Sequence, residues 1–296
     1  MERVVMLSRS QLYQQAVAKL EASAITNARH ETAWILEETI GLTRLMIQTA
    51  PEQEVSPEAW RCAWESVERR ALGEPLQYVL GSQEFWGLDF FVTHDVLIPR
   101  YDTELLVQSV VSRMQEHVSP LLVDVGTGSG CLAVAMGVEL PQARIVALDR
   151  CPKAIRLAVR NARRHDVHHR IAFCVGDLLA PLLSPRLAGK VTAVVANLPY
   201  IGEAEFFTLA PEVRDFEPKL ALDGGADGLT LYRRLLREAH HIVSPSGYVM
   251  VEVGQGQASR LCEEAVLCGY RIHHVLHDSL DIQRVVCLER TGTTLS

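Results

Sequence analysis

Leu121-Leu122-Val123-Asp124-Val125-Gly126-Thr127-Gly128-Ser129-Gly130 is the stretch on which the fold turns. Its first half is a short, nearly continuous apolar run, the pattern of a strand covered on both faces. Its second half alternates glycines with small polar residues, so the chain can turn tightly and bring backbone N–H groups close to a ligand. The spacing is G-x-G-x-G, which differs from the G-x-G-x-x-G of a dinucleotide turn, and no Gly-Lys-Ser follows to hold phosphates. The implied ligand is a nucleotide-like cofactor.

Downstream, strand and helix patterns alternate. Leu121 to Val125, Arg144 to Leu148, Ile171 to Val175, Val191 to Ala196 and Tyr248 to Val253 read as strands, and Cys131 to Glu139, Pro152 to His165 and Leu229 to His241 as helices between them. This order predicts a parallel sheet with right-handed crossovers. Arg271 to His277 and Arg284 to Leu288 have no helix between them and are expected to pair antiparallel, completing a seven-stranded, mostly parallel α/β sheet. Acids then stand at the carboxyl ends of strands, where open sheets bind ligands. Asp149 closes the second strand, where a carboxylate can accept both ribose hydroxyls, and Asp177 follows the third, where a loop meets the adenine. Asp124 either holds the glycine loop or meets an ammonium group of the cofactor.

A second run, Val194-Val195-Ala196-Asn197-Leu198-Pro199-Tyr200, is an apolar strand ending in a polar-aromatic hook. The hook supplies what an amide or aromatic amine needs, and paired in order with the glycine loop it suggests methylation of a planar nitrogen.

The first eighty or so residues read differently. Leu12, Ala16 and Leu20 repeat every four positions, and Trp60, Trp64, Val67 and Ala71 follow helical spacing. Ser56-Pro57 looks like an N-cap with proline at the first helical position, and Gly41 and Gly73 mark helix stops. A helical bundle over 1–75 is therefore expected, then a β-hairpin linker over 76–99 turning near Gly87, then the cofactor domain over 100–296. Asp102 reads as the N-cap of a helix beginning at Thr103.

A 48% hydrophobic and 22% charged composition fits a globular protein with a full core. No segment approaches the roughly 20 apolar residues that span a membrane, and the stretch Met1 to Ser8 lacks a signal-like cleavage site, which places the chain in the cytoplasm. Seven cysteines without a C-x-x-C pair argue against a disulfide framework or a zinc site. Cys131, Cys174 and Cys287 lie in apolar runs and read as buried thiols. In His273-His274-Val275-Leu276-His277, strand alternation sets His273 and His277 against His274, with no acid or cysteine partner apparent, so no metal is expected. A net charge of −7 argues against stable nucleic-acid binding. The arginines from Arg156 to Arg170 read as the solvated face of a sheet-covering helix. The tryptophans Trp34, Trp60, Trp64 and Trp86 are mostly at core-like spacing.

The chain also resembles a known family. Gly73-Glu74-Pro75 with Tyr78, Leu80 and Gly81, Glu84 to Leu88, Ile98-Pro99-Arg100, Glu104, Asp124 to Gly130, Asn197 to Tyr200, Phe216-Glu217-Pro218, Leu222, Gly224-Gly225 and Gly228 are similar to the HemK/PrmC family. Those proteins are S-adenosylmethionine-dependent methyltransferases that modify the glutamine amide in the Gly-Gly-Gln motif of peptide chain release factors. The resemblance implies a methyltransferase (Rossmann-like) sheet behind a helical domain that recognises the release factor. It also implies cofactor contacts at Asp124, Gly126, Thr127, Gly128, Ser129, Gly130, Asp149, Asp177, Leu178 and Asn197, and substrate contacts at Asn197, Leu198, Pro199 and Tyr200.

Amide chemistry fits that hook. A carboxamide nitrogen is a poor nucleophile because its lone pair is delocalised, so a protein must orient it and support the charge that develops. The Asn197 side-chain oxygen and the backbone carbonyl of residue 198 each suit one amide hydrogen, Tyr200 suits the flat amide face, and Pro199 fixes local geometry. The family usually reads Asn-Pro-Pro-Tyr; here Leu198 keeps the carbonyl and, preceding a proline, stays biased to extended backbone. Its Pro-Arg-Pro-Glu-Thr-Glu segment is Pro99 to Glu104 here, with Tyr101 and Asp102 as departures. Asn-Leu-Pro-Tyr is also the motif of ribosomal-RNA adenine dimethylases, and a sister family modifies a glutamine of a ribosomal protein. These are the rival enzymes, and a non-catalytic translation-factor binder is the rival of another class.

Overall fold

A computed structural model describes residues 7–292, so Met1 to Met6 of the stretch read for a targeting signal lie outside the described residues. The chain forms two compact units, Met1–Ser82 with Ala210–Phe216, and Gln83–Leu209 with Glu217–Ser296.

The first unit contains helices α1 (Arg9–Ala22), α2 (Ala28–Ile40), α3 (Arg44–Thr49), α4 (Pro57–Ala71) and α5 (Leu76–Leu80). Local chemistry sets their ends. Ser8 and Gln11 form a reciprocal capping box on α1, Ser56 caps α4 through the Ala59 N–H with Pro57 in the first turn, and left-handed Gly41 ends α2. Leu12, Ala16 and Leu20 are buried as their spacing predicts, and Val67 joins them. Trp60 and Trp64 stack at 5.6 Å but stay half-buried, and Trp34 is 51% exposed, against the core reading of its spacing. Leu76–Leu80, expected within the hairpin segment, is a helix of this unit, because Leu76 and Val79 complete its core.

The second unit opens with a hairpin, β1 (Ser82–Phe85) and β2 (Leu88–Phe91), whose first residue, Ser82, still belongs to the first unit. Far from a loose tether, it is packed in: Phe85 and Phe90 are buried, and the Asn161 side-chain amide bonds both the N–H and the carbonyl of Phe91. Then follow α6 (Glu104–Met114), β3 (Leu121–Val125), α7 (Cys131–Glu139), β4 (Arg144–Asp149), α8 (Pro152–Arg164), β5 (Ile171–Val175), β6 (Val191–Ala196) and α9 (Glu203–Phe206). The short α10 (Pro211–Phe216) belongs to the first unit, and α11 (Thr230–Ile242), β7 (Val243–Glu252), α12 (Ala258–Leu267), β8 (Tyr270–His277) and β9 (Gln283–Arg290) finish the second.

The seven strands run in the order β5-β4-β3-β6-β7-β9-β8, parallel through β7, with β9 antiparallel to both β7 and β8. Alternating strand residues feed two cores. Leu122 and Val195 pack with α6 and α7, while Val123, Val194 and Ala196 pack with α11 and α12. Because β3 lies between β4 and β6, chain order reverses there and a crevice opens beyond the strand ends. The arginines of α8 are exposed opposite its buried Ile155, Leu157, Ala158 and Ala162, as its periodicity predicts.

Two local expectations fail. Asp102 does not cap α6: its carboxylate pairs with Arg284 at 3.3 Å, residues Tyr101–Thr103 form a 3-10 turn, and the helix starts at Glu104 without a side-chain cap. The His273/His274 alternation is broken by a register shift between Ile272 and His274.

Candidate active site

The site is built where β3, β4 and β6 end side by side, in register at Val125 with Leu148 and Ala196. A cavity of about 510 Å³ opens there, within the range of small-ligand sites. Gly126, Thr127, Gly128, Ser129, Asp149, Asp177, Leu178, Asn197, Leu198 and Pro199 all line it. Three of the residues expected at the site do not: Asp124, Gly130 and Tyr200 stand outside the lining and act on the residues that form it.

Asp124 is fully buried, and its Oδ2 accepts from the Thr127 hydroxyl at 2.6 Å. Burial pushes its carboxyl up to about 7, against the Thr127 bond and a backbone N–H that favour the charge. Of its two expected roles, this geometry matches the loop-holding one. Gly130 is where α8 comes closest: a Cβ there would sit 2.9 Å from the Ala158 Cβ, and its φ of +84° suits glycine alone. Both residues shape the loop without facing the cavity.

Asp149 ends β4 and serves the loop and the cavity together. Its Oδ2 accepts from the Gly128 N–H at 2.9 Å and its Oδ1 from the Cys151 N–H at 2.8 Å. Burial raises its pKa, and these two backbone bonds hold the rise in check. Each oxygen keeps a further lone pair, so a diol can still be accepted. Asp177 Oδ2 accepts from the Arg234 guanidinium at 2.8 Å, and Leu178 is buried with a positive φ of 46°. These donors and acceptors, with apolar Val96, Leu132 and Leu178 in the lining, fit an adenosine-bearing cofactor.

The hook is held from several directions. Asn197 Nδ2 donates to Thr103 Oγ1 at 3.0 Å, which leaves its Oδ1 as the free acceptor. The Tyr232 hydroxyl reaches the Leu198 carbonyl at 3.1 Å and the Glu252 carbonyl at 2.5 Å. One hydroxyl proton serves both, and the shorter contact claims it, so the Leu198 carbonyl keeps acceptor capacity. Tyr200 turns its hydroxyl to Glu252 Oε1 at 3.4 Å, and Gln257 Nε2 donates to its carbonyl at 2.8 Å. A Cβ at Gly228 would stand 2.2 Å from that carbonyl oxygen and one at Gly224 2.8 Å from the Pro199 oxygen, so these glycines are required by the hook's backbone. Glu217 accepts from the Ile98 N–H at 3.2 Å and pairs with Arg100, fixing the lining segment before α6.

Thr103, Tyr232, Glu252 and Gln257 are not singled out for these roles by the sequence pattern. Thr103 lay inside a segment with a clear helix-start pattern, and Tyr232 at a core position of a helix, so periodicity explained each one away.

At the other end of the sheet, the bulge brings His273, His274 and Cys287 within ligand reach of one another, which corrects the expectation that no cysteine lies near these histidines. The Arg113 guanidinium, 2.8 Å from His273 Nε2, sets a fixed cation in that cluster. All seven cysteines are free thiols, and Cys131 and Cys174 are only half-buried. No helix among the described residues is long and apolar enough to cross a membrane.

The family model described as the PrmC N-terminal domain matches residues 11–81, and that for ribosomal protein L11 methyltransferase (PrmA) matches residues 102–201. A release factor glutamine methyltransferase of Geobacter sulfurreducens is 42% identical over 90% of this chain and 91% of its own. Another, of Moorella thermoacetica, is 42% identical over 89% of this chain and 92% of its own. Among solved structures, a ribosomal protein L11 methylase from Lactobacillus delbrueckii subsp. bulgaricus aligns over 67% of this chain and 82% of its own, at 20% identity and a TM-score of 0.48.

Proposed function

Because this chain belongs to the release factor glutamine methyltransferase family, we propose that it methylates the side-chain amide nitrogen of the glutamine in the Gly-Gly-Gln motif of peptide chain release factors, using S-adenosyl-L-methionine. The observation that carries the reading is the Asn197 carboxamide, held by Thr103 so that its oxygen is the free acceptor on the cavity wall.

The loop Gly126 to Ser129 would hold the cofactor, with Asp149 offering its carboxylate to the ribose hydroxyls and Asp177 and Leu178 lining the same cavity. When bound, S-adenosylmethionine supplies an electrophilic methyl group on a sulfonium sulfur. Asn197 Oδ1 and the Leu198 carbonyl each accept one hydrogen of the substrate amide, which fixes its plane and turns the nitrogen lone pair toward the methyl position. During methyl transfer the same two acceptors would carry the positive charge that develops on the nitrogen's hydrogens. The nitrogen then gives up one proton to water, since an N-protonated amide is a strong acid. No metal is needed for any of these steps. The helical unit is the part we assign to docking the release factor, and such a substrate places the protein in the cytoplasm.

The test is transfer of labelled methyl from S-adenosylmethionine to purified release factor, beside a copy whose Gly-Gly-Gln glutamine is alanine, with ribosomal RNA and ribosomal protein as parallel acceptors. Label on the intact release factor alone is expected. Label on RNA would replace this reading by adenine methylation, and label on ribosomal protein by the sister activity.

A further inference from the structure

We infer that Tyr232 is a positioning residue for the transfer, its hydroxyl fixing the direction of the Leu198 carbonyl that receives one hydrogen of the substrate amide. The inference rests on the glutamine-methylating reading above and names what aims one of its two acceptors.

Leu198 lies just past the point where the sheet stops pairing. The β6 and β7 ladder ends at Ala196 with Val251, and the chains then part, β6 into the hook and β7 to its last residue, Glu252. The next donor along that chain, the Val253 N–H, turns to the Arg284 carbonyl at 2.8 Å. Among the described residues the Leu198 carbonyl has one hydrogen-bond partner, the Tyr232 hydroxyl at 3.1 Å, and that hydroxyl is tied to the sheet through the Glu252 carbonyl at 2.5 Å. The phenol thus takes the place of a ladder bond, in three-centre form. Glu252 holds the larger share of its one proton. The smaller share sets the direction of the Leu198 oxygen and leaves it a lone pair for substrate.

The chain by itself does not set that direction. Pro199 locks the φ that follows the carbonyl, but the ψ of Leu198 before it, although kept extended, still spans about 40°. Swung through that range, a carbonyl oxygen moves by roughly 0.7 Å. Displacements near 1 Å at a reacting centre cost about a hundredfold in rate. The hydroxyl is also a cost to the fold. Tyr232 is fully buried on the stripe of α11 that carries Leu235, Leu236 and Ala239, where a phenylalanine would fill the same space with no polar group to satisfy. Burial holds the phenol well above its ordinary pKa, so the shared proton stays on it.

The experiment compares Y232F with Y270F in steady-state methylation of release factor, with calorimetric affinity for S-adenosylhomocysteine and thermal melting of each. Tyr270 is the matched control, buried in the same core with its hydroxyl donating to the Leu236 carbonyl at 3.0 Å, a carbonyl of α11 and not of the hook. Both variants lose a buried hydroxyl bond to the main chain and should melt lower. Y232F alone should lower kcat, by about tenfold to a hundredfold. Its KM for release factor and its cofactor affinity should stay within about twofold, since the side chain is not proposed to bind either. Wild-type kcat in Y232F, or an equal loss of kcat in Y270F, would overturn the inference. A readout independent of the acceptor is the carbonyl-carbon NMR signal of Leu198, seen in protein isotope-labelled at leucine carbonyls and proline nitrogens. Leu140-Pro141 and Leu198-Pro199 are the two Leu-Pro pairs of the chain, and L140M removes the other signal. The Leu198 signal should move in Y232F and stay in Y270F. An unmoved signal in Y232F overturns this inference whatever the substrate, whereas an unlabelled release factor with the wild-type enzyme overturns only the functional reading.

Discussion

Asp149→Asn separates cofactor binding from folding more cleanly than any other change at this site. The carboxylate takes the Gly128 and Cys151 N–H groups on separate oxygens, and an amide of the same shape can accept from only one of them. The same change takes a charged acceptor from the ribose hydroxyls, and a charge-assisted bond is worth about 1.5–3 kcal/mol, which in affinity is about tenfold to 150-fold. Folding responds in the opposite sense. Burial raises the Asp149 pKa, so its favourable contribution to stability is present below the unfolded value and lost as pH rises through the folded one. At neutral pH the substitution removes a buried charge, which offsets the lost bond, and the melting temperature without ligand should change little. Calorimetry with S-adenosylhomocysteine reads the first effect. Melting with that ligand at about 100 times the wild-type Kd reads both, since wild type gains about 2.7 kcal/mol there and a thirtyfold weaker site about 0.9 kcal/mol. A Kd within about twofold of wild type would refute the role given to Asp149.

Further predictions concern the hook, the loop and the buried acids. Asn197→Ala should leave the fold intact and remove most transfer, about a hundredfold in kcat, and near-normal turnover under saturating cofactor would contradict the amide-holding mechanism. Gly130→Ala places a Cβ 2.9 Å from that of Ala158 at a φ of +84°, and should destabilise the protein by about 2–4 kcal/mol in urea unfolding. For Asp124, whose pKa is raised from 3.8 to about 7, stability should decline as pH rises across that interval. Asp124→Asn should flatten the decline, and an unchanged slope in denaturation at the two ends would count against its buried, loop-holding state.

The sheet was legible because its information is local. A buried parallel strand is a short apolar run, and Leu121–Val125, Ile171–Val175 and Val191–Ala196 each occur as read. Gly126 to Ser129, Asp149 and Asn197 were legible because strand ends mark where a ligand must lie. What could not be read depends on residues distant in sequence. Thr103 meets Asn197 across 94 positions, and Tyr232 meets Leu198 across 34. Each also satisfied a nearer pattern, a helix start for one and a core stripe for the other, so nothing local was left over to explain. Asp102 shows the converse. It had the right chemistry and position for a cap, and a long-range ion pair with Arg284 outcompeted the local bond. The histidine alternation failed for a third reason, since the register shifts between Ile272 and His274 and again between Leu276 and His277, and each shift resets the phase of the side chains that follow.

Leu198 stands where the family usually carries proline, and it is 3% exposed, its Cδ2 3.2 Å from the place a Cβ of Gly126 would occupy. The hook and the glycine turn thus lie side by side, with Leu198 and the Asn197 carbonyl both facing Gly126. Any shift of the turn on filling must be answered by the leucine, and through it by the carbonyl beside Pro199. On the function proposed above, any coupling between cofactor and substrate would pass through this approach, and thermodynamic reciprocity would make it equal in both directions. A leucine, which can change rotamer where a proline ring cannot, makes that conversation adjustable by packing alone.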